Sequence, residues 1–546
     1  MSTRVRIGID VGGTFTHAVA VAEGSSECVA RVRVPTTHGG ESGVAGGIID
    51  ALESLLAAGE ISPQEISRVA HSTTQATNAL LEGDVAIVGV IAAGSGLEGM
   101  QVKTQTAVTP VELAPGRSFA PLHQFVELEE HSLPEIEVRK ACQELMTQGA
   151  KAIVAATAFS VDDPSVERTI CSIANDEGLL ATATCDLTSL YGLAVRTRTA
   201  AINAAILPKM METAERTEEA VRALGIEAPL VVMRSDGGAM DIKAMKARPV
   251  LTMLSGPAAG VAALLMAAGV DDGVFLEVGG TSTDISCVRD GRPEVKPARV
   301  GGHRLYLNTL DVRTVGVAGG SLPRVRQGAI VGVGPRSAHI ANLSYASFTD
   351  EERPLRVLPF KPLAADPKEY VALAADEEAT VAITPTCAAN YLGTVAEGDY
   401  AKGHSPSVER AFAALANYLD CDAKEAARHI VDVGVTPMAK VIEELVEEYG
   451  LSLERLRLFG GGGGAGVWLP AVGERLGRPA SVVEHAHVIS AIGAALALLQ
   501  ETVERTLIDP STQDIAAIRQ EARQAVIKSG AAPQTVEVRV DVDSQR

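Results

Sequence analysis

The chain has 546 residues, 46% of them hydrophobic and 21% charged, a balance typical of globular proteins long enough for two or three well-buried domains. A formal net charge of −20 repels phosphate backbones and argues against nucleic acid as a partner. The sequence holds no run of about 18 apolar residues, and a polar N-terminus leads directly into a β-like segment. The expectation is a cytoplasmic protein with no membrane span.

Taken in chain order, Arg4–Asp10 predicts a buried strand, followed by a Gly-Gly turn and a second strand at Ala18–Val21. Ser42–Ala58 has helical periodicity and stops at Gly59. Val69–His71 leads into a helix at Thr74–Glu82, and Val85–Ala92 predicts a strand. Residues 100–135 lack periodicity and suggest an inserted lobe. Strands and helices then alternate: strands at Ala152–Ala158, Leu180–Cys185, Leu230–Arg234 and Gly273–Val278, helices at Pro164–Glu177 and Arg196–Leu224, and an Ala-rich helix opened by Ser255–Gly260. Residues 301–400 are rich in Pro and Gly and the least regular. Helices return at Ser407–Leu419, Ala423–Tyr449 and Ile489–Glu504, with a strand at Leu456–Phe459; the tail predicts a helix at Ile515–Lys528 and a strand at Thr535–Val540. The seven cysteines are scattered and form no Cys-x-x-Cys pair, which predicts reduced thiols, most of them small core residues.

Two distant segments match at a constant offset of 267. Asp10-Val-Gly-Gly-Thr-Phe-Thr-His17 parallels Glu277-Val-Gly-Gly-Thr-Ser-Thr-Asp284, and seven of fifteen positions agree between 10–24 and 277–291. Both copies follow an apolar run, so the repeat marks a duplicated strand–turn–strand unit. Paired glycines bring bare N–H groups close to phosphate oxygens, and threonine hydroxyls add donors. An acid ending the first strand can hold Mg²⁺ through water, which makes Asp10 and Glu277 the candidate metal residues. Two such hairpins from two similar domains would clamp a triphosphate from both sides; two ordinary hairpin closures are the plainer alternative. A third cluster, Gly460–Gly464, follows a predicted strand and offers a bare surface for an adenine ring or ribose at Gly461, Gly462 and Gly463, although the same run would serve as a flexible linker.

Six motifs occur in order: Asp10–Thr16, His71-Ser-Thr-Thr-Gln-Ala-Thr-Asn78, Ser235-Asp-Gly-Gly238, Ser255-Gly-Pro-Ala-Ala-Gly260, Gly279-Gly-Thr-Ser-Thr-Asp284 and Ser490-Ala-Ile-Gly493. Together they resemble the hydantoinase A/oxoprolinase family over roughly residues 4–500. The resemblance implies an α/β, actin-like ATPase (sugar kinase/chaperone ATPase) duplicated fold with a central nucleotide cleft. The expected domains are 1–200, with the lobe near 100–135; 201–506, with a divergent insertion near 301–400; and a tail, 507–546.

It further implies an ATP-dependent hydrolase of cyclic amide C–N bonds, or a carboxylase subunit, that phosphorylates a lactam, hydantoin or ketone carbonyl with Mg²⁺ and works with a hydantoinase B-like partner subunit. By that analogy Asp10, Glu277 and Asp284 are catalytic, Asp10 and Glu277 organise the metal, and Asp284 orients a nucleophile or metal water. Gly12, Gly13, Thr14 and Thr16, with Gly279, Gly280, Thr281 and Thr283, hold phosphates, and His71, Thr73, Thr74, Thr77 and Asn78 face the transferred group. Helix capping is the alternative use of this last block. The chain departs from the family pattern at Glu277 and His17, both usually Asp, at Ser337–Ser344, and at Thr386-Cys-Ala-Ala-Asn390. An ATPase switch or reactivating factor of the same fold, and a small-molecule kinase, are the rival readings. His485 and His487 have the spacing of a metal pair on a strand, but with no further ligand beyond Glu484 a surface role is expected.

Overall fold

Val5, Ile7, Ile9 and Val11 alternate with small or polar residues, so strand Val5–Val11 turns one aliphatic face into the main core. The computed structural model describes residues 4–542 apart from 13–14, 38–42, 115, 130–131, 269, 351, 404–405, 453 and 508. Val5–Val11 pairs antiparallel with Phe15–Ala22 and parallel with Ile66–Thr73. Cys28–Pro35 extends the sheet on one side; Leu230–Met233, parallel, and Ala239–Asp241, antiparallel, extend it on the other. Helices Gly43–Gly59 and Leu193–Ala223 supply Ile48, Leu52, Leu55, Ile202 and Ile206 to the same core. A second, all-parallel sheet runs Leu180–Ala183, Ala152–Thr157, Val88–Gly94, Leu122–Glu127.

The chain divides into two units: Met1–Ala259 with Val295–Leu310 and Ala494–Arg546, and Gly260–Glu294 with Asp311–Gly493. In the second unit Gly273–Val278 pairs antiparallel with Thr283–Arg289 and parallel with Leu458–Gly461. Arg292–Pro293 lies beyond the former and Ala480–Val482 beyond the latter. Three antiparallel strands joined to two parallel ones therefore occur in the same order in both units, the duplicated actin-like ATPase architecture in α/β form.

Several elements differ from the sequence expectations. The first unit does not end near 200, because helix Leu193–Ala223 runs through that point inside its core. Residues 100–135 are not a separate lobe: Leu122–Glu127 joins the parallel sheet beside Val88–Gly94, a pairing that local periodicity cannot reveal. The irregular 301–400 stretch contains a sheet in which Ser321–Arg326 and Ala329–Ser337 form a hairpin and Tyr370–Ala374 joins it from farther along the chain at Arg324. The helix expected to Glu504 stops at Leu496, because the chain then extends so that Ala239 N–H donates to Leu498 O and Gln500 N–H donates to Ala239 O. Thr535–Val540 forms no strand; Pro533–Thr535 is a 3-10 turn, and the residues after it meet no sheet edge among the described residues. None of the seven cysteines is joined in a disulfide; Cys142, Cys287 and Cys387 are buried, whereas Cys28, Cys171, Cys185 and Cys421 are half-buried, so fewer of them are core residues than expected.

Trp468, the single tryptophan, is fully buried against helix Ala423–Tyr449, where Gly434 leaves room for its ring. A Cβ at Gly434 would overlap the indole carbons. Alanine gains up to about 1 kcal/mol in helix propensity, whereas overpacking a filled core costs about 1–3 kcal/mol. Gly434→Ala is therefore expected to destabilise the second unit, shown by a lower denaturant midpoint in Trp468 fluorescence.

Candidate functional site

In the first hairpin Asp10 lies opposite His17 and Val11 opposite Thr16. Gly12 N–H closes the turn on Phe15 O at 3.1 Å, and a Cβ on Gly12 would stand 3.0 Å from that oxygen. Gly13 and Thr14 lie outside the described residues. The turn is fastened from below: Thr36 Oγ1 donates to Gly12 O at 2.8 Å and shares a 3.1 Å hydrogen bond with Thr16 Oγ1. Thr16 is buried.

Asp10 receives the Ser72 hydroxyl on Oδ1 at 2.5 Å. Burial pushes its carboxyl above the ordinary range, and the Ser72 hydrogen bond opposes that shift. His17, by contrast, is held neutral at about 4, first by burial and then by the nearby Arg33 guanidinium.

His71 is paired with Ile9 and Val232, so it shares the face they turn to the core rather than the face of Asp10 and Ser72. Burial lowers its pKa to about 4, with the Ser72 backbone opposing weakly. The polar block that follows is engaged in fastening. Thr73 Oγ1 accepts from Gln75 N–H at 3.1 Å at the start of helix Gln75–Glu82, and Ser255 Oγ bonds both the N–H and the carbonyl of Thr73, at 3.1 and 2.9 Å. Asn78 donates to Thr74 Oγ1 at 3.3 Å, and Thr77 Oγ1 accepts from Leu254 N–H at 3.1 Å.

In the second hairpin Glu277 lies opposite Asp284 and Val278 opposite Thr283, and Gly279 N–H closes on Ser282 O at 3.0 Å. Register and closure thus repeat at the offset read from the sequence. Gly279 and Gly280 are exposed at the tip, and their carbonyls accept from Gly319 and Gly320 N–H at 3.3 and 3.0 Å. Thr386, in the divergent Thr-Cys-Ala-Ala-Asn element, holds Gly319 in turn through its hydroxyl, at 2.8 Å. Thr281 pairs with Ser337 at 2.9 Å, whereas Thr283 is fully buried and donates to Val317 O at 2.7 Å.

Glu277 accepts the Ser490 hydroxyl on Oε1, and a Cβ at Gly260 would stand 3.0 Å from its Oε2. Asp284 accepts from Thr314 Oγ1 at 2.6 Å; burial raises its pKa and that hydrogen bond lowers it.

Gly460–Gly464 is packed, not a loose linker. Gly464 N–H donates to Val278 O at 2.9 Å, and its own Cβ would lie 2.7 Å from Val278 Cγ1; Gly462, at φ +83°, abuts the Val278 carbonyl. The run is therefore fixed against the end of the hairpin strand. Beside Gly463, Tyr400 stacks on His487 with ring centroids 5.0 Å apart. Among the described residues no group of three or more His, Cys, Asp or Glu could hold a metal ion, so His485 and His487 assemble no such site.

Family models for the hydantoinase/oxoprolinase N-terminal region and for hydantoinase/oxoprolinase match residues 6–178 and 196–503. The chain belongs to the hydantoinase/oxoprolinase family. Relatives in this family include the caprolactamase subunit alpha of Pseudomonas jessenii, 24% identical across 86% of this chain and 67% of that one. The acetophenone carboxylase gamma subunit of Aromatoleum aromaticum is 27% identical across 61% and 49%. The chain thus spans about two thirds of the first and half of the second. Among solved structures, ATP-dependent caprolactamase from Pseudomonas jessenii matches with a TM-score of 0.67 at 22% identity, covering 96% of this chain and 76% of that one. Nucleotide-free acetone carboxylase matches at 0.66 and 20%, covering 97% and 78%. These structures share the fold.

Sequence reasoning did not single out Ser72, Thr36, Thr314 or Ser490. Ser72 and Ser490 stood inside quoted family motifs, but their roles depend on pairings 62 and 213 residues long. The two glycines of Ser255-Gly-Pro-Ala-Ala-Gly260 are distinguished by room. A Cβ at Gly256 would stand 3.9 Å from Asp10 Oδ1, ordinary contact, whereas one at Gly260 meets Glu277 at 3.0 Å and Phe275 at 3.1 Å. Gly256→Ala is expected to be neutral or to raise the melting temperature slightly, and Gly260→Ala to lower it by several degrees, equivalent to about 1–2 kcal/mol; differential scanning calorimetry distinguishes them.

Proposed function

We propose that the chain binds Mg-ATP on its two hairpins and spends the γ-phosphoryl group on a carbonyl oxygen. The substrate would be a lactam, hydantoin or ketone, and the outcome ring opening or carboxylation in concert with a hydantoinase B-like partner subunit. One observation carries this reading: the same acid-ended, glycine-tipped hairpin stands in the same register at the centre of both sheets. The names of the relatives, caprolactamase and acetophenone carboxylase, support this substrate class.

Resonance makes an amide carbonyl a poor electrophile. Attack of its oxygen on the γ-phosphorus releases ADP and leaves an imidate phosphate. Water then adds at the carbon, the C–N bond breaks as the nitrogen takes a proton, and a second water cleaves the resulting acyl phosphate to carboxylate and phosphate. Phosphoryl transfer asks the protein mainly for positioning and charge neutralisation. Gly280, exposed at the tip, would present its N–H to phosphate oxygens, whereas the N–H groups of Gly12 and Gly279, also expected to hold phosphate, are engaged in closing the hairpins. Asp284, half-buried and steadied by Thr314, would orient the attacking oxygen.

Asp10 and Glu277 would hold Mg²⁺, whose preference for oxygen donors and for keeping several waters suits carboxylates that reach it partly through water. When bound, it neutralises phosphate charge. None of the helices described is long and apolar enough to cross a membrane; action in the cytoplasm is proposed because ATP is the co-substrate.

Asp10→Ala and Gly280→Val are each expected to abolish Mg-ATP binding in calorimetry while circular dichroism stays native. Wild-type affinity in both would remove the basis of this reading. Asp284→Asn should keep ATP affinity within a few fold and lower turnover by about 10²-fold, the effect of losing a positioned acid–base group. A joint fall in melting temperature and affinity would instead show that its carboxylate only braces the hairpin.

A further inference from the structure

The two hairpin acids are each held by a serine, and the serines come from unlike places. In the first unit Ser72 sits directly opposite Asp10 on the parallel neighbour strand and donates from there. The corresponding position opposite Glu277 is Gly461, which has no side chain to offer. Its bareness has a use: a Cβ at Gly461 would stand 2.7 Å from Ile489 Cγ2. Glycine at 461 thus lets the start of helix Ile489–Leu496 close in, and Ser490 donates to Glu277 from that helix. The extra methylene of Glu277 relative to Asp10 suits a donor placed on a helix instead of on the adjacent strand.

We propose that Ser72 and Ser490 are positioning residues, matched hydroxyl clamps that fix one oxygen of Asp10 and of Glu277 so that each carboxylate stays aimed for the metal–nucleotide complex. This rests on the nucleotide reading above. Both serines are buried, so each hydroxyl is screened from water and has a defined geometry. A hydroxyl donating to a carboxylate restricts its rotamer, and an acid needs that fixed orientation before it can serve a cation. The sequence repeat covers only the hairpins, and the two hydroxyls arrive from non-equivalent elements at the same kind of atom. A shared local packing habit does not produce that pattern; a shared requirement on the carboxylate does.

The test is a pair of double-mutant cycles on the full chain, Ser72→Ala with Asp10→Asn and Ser490→Ala with Glu277→Gln. Calorimetry with ATP is run in Mg²⁺ and in chelator, alongside thermal denaturation. Each serine variant is expected to reduce the Mg²⁺-dependent gain in ATP affinity about tenfold while metal-free affinity stays within twofold, and to have no further effect once its acid is neutralised. Equal losses with and without Mg²⁺, or an undiminished serine effect beside a neutralised acid, would overturn the clamps. If Asp10→Asn and Glu277→Gln abolish the Mg²⁺-dependent gain but neither serine variant alters it, the clamps fall and the nucleotide reading stands. If the acid variants keep that gain, both fall together. Should one serine variant fail to fold, the cycle in the other unit decides alone.

Discussion

Everything at the candidate site depends on one backbone hydrogen bond made twice. Gly12 N–H to Phe15 O, and Gly279 N–H to Ser282 O, end two strand pairs at equivalent residues. Once that closure is set, the strand pleat dictates the rest: the acid before it and the residue opposite share one face, and the aliphatic residues between them enter the core on the other. A slip of one residue would send Asp10 or Glu277 into the core and a valine to the site. The buttresses protect that register from different sides, Thr36 beneath the first turn and the Gly319–Gly320 backbone beside the second.

The hairpins were legible in the sequence because they are local. Their glycines, threonines and flanking apolar runs lie within fifteen residues, and duplication raised them above chance. Helix Ala423–Tyr449 was likewise legible from its own periodicity. What escaped depends on distant partners. Leu122–Glu127 has no strong alternation and becomes a strand only because Val88–Gly94 offers it an edge. In the sheet within 301–400 the hairpin of Ser321–Arg326 and Ala329–Ser337 carries Pro and Gly inside its strands, so it reads as loop, and Tyr370–Ala374 joins it only through the distant Arg324. Ile489–Glu504 shows the opposite failure: a small-residue run with helical character is drawn out of the helix after Leu496 by the Ala239 backbone.

Candidate residues sorted themselves by where their hydroxyls point. Thr16 and Thr283 occupy equivalent places in the repeat and are both buried, one joined to Thr36 and the other to the Val317 carbonyl. They secure hairpins whose tips are glycine. His71, chosen for its polarity in a polar block, lies on the core face of its strand, a distinction that one-residue alternation makes and composition cannot.

The strand pair Val295–Val300 and His303–Leu310 belongs to the first unit although the chain before and after it belongs to the second. Tyr306 N–H donates to Thr199 Oγ1 in the long helix, and Leu310 N–H donates to Ser235 O. During synthesis on the ribosome, the first unit therefore cannot complete its packing when residue 259 emerges. It must wait for this returning ribbon, and again for the segment beginning at Ala494. Translation order and folding order are interleaved, leaving an early, partly exposed surface on the nascent chain for a chaperone to shelter.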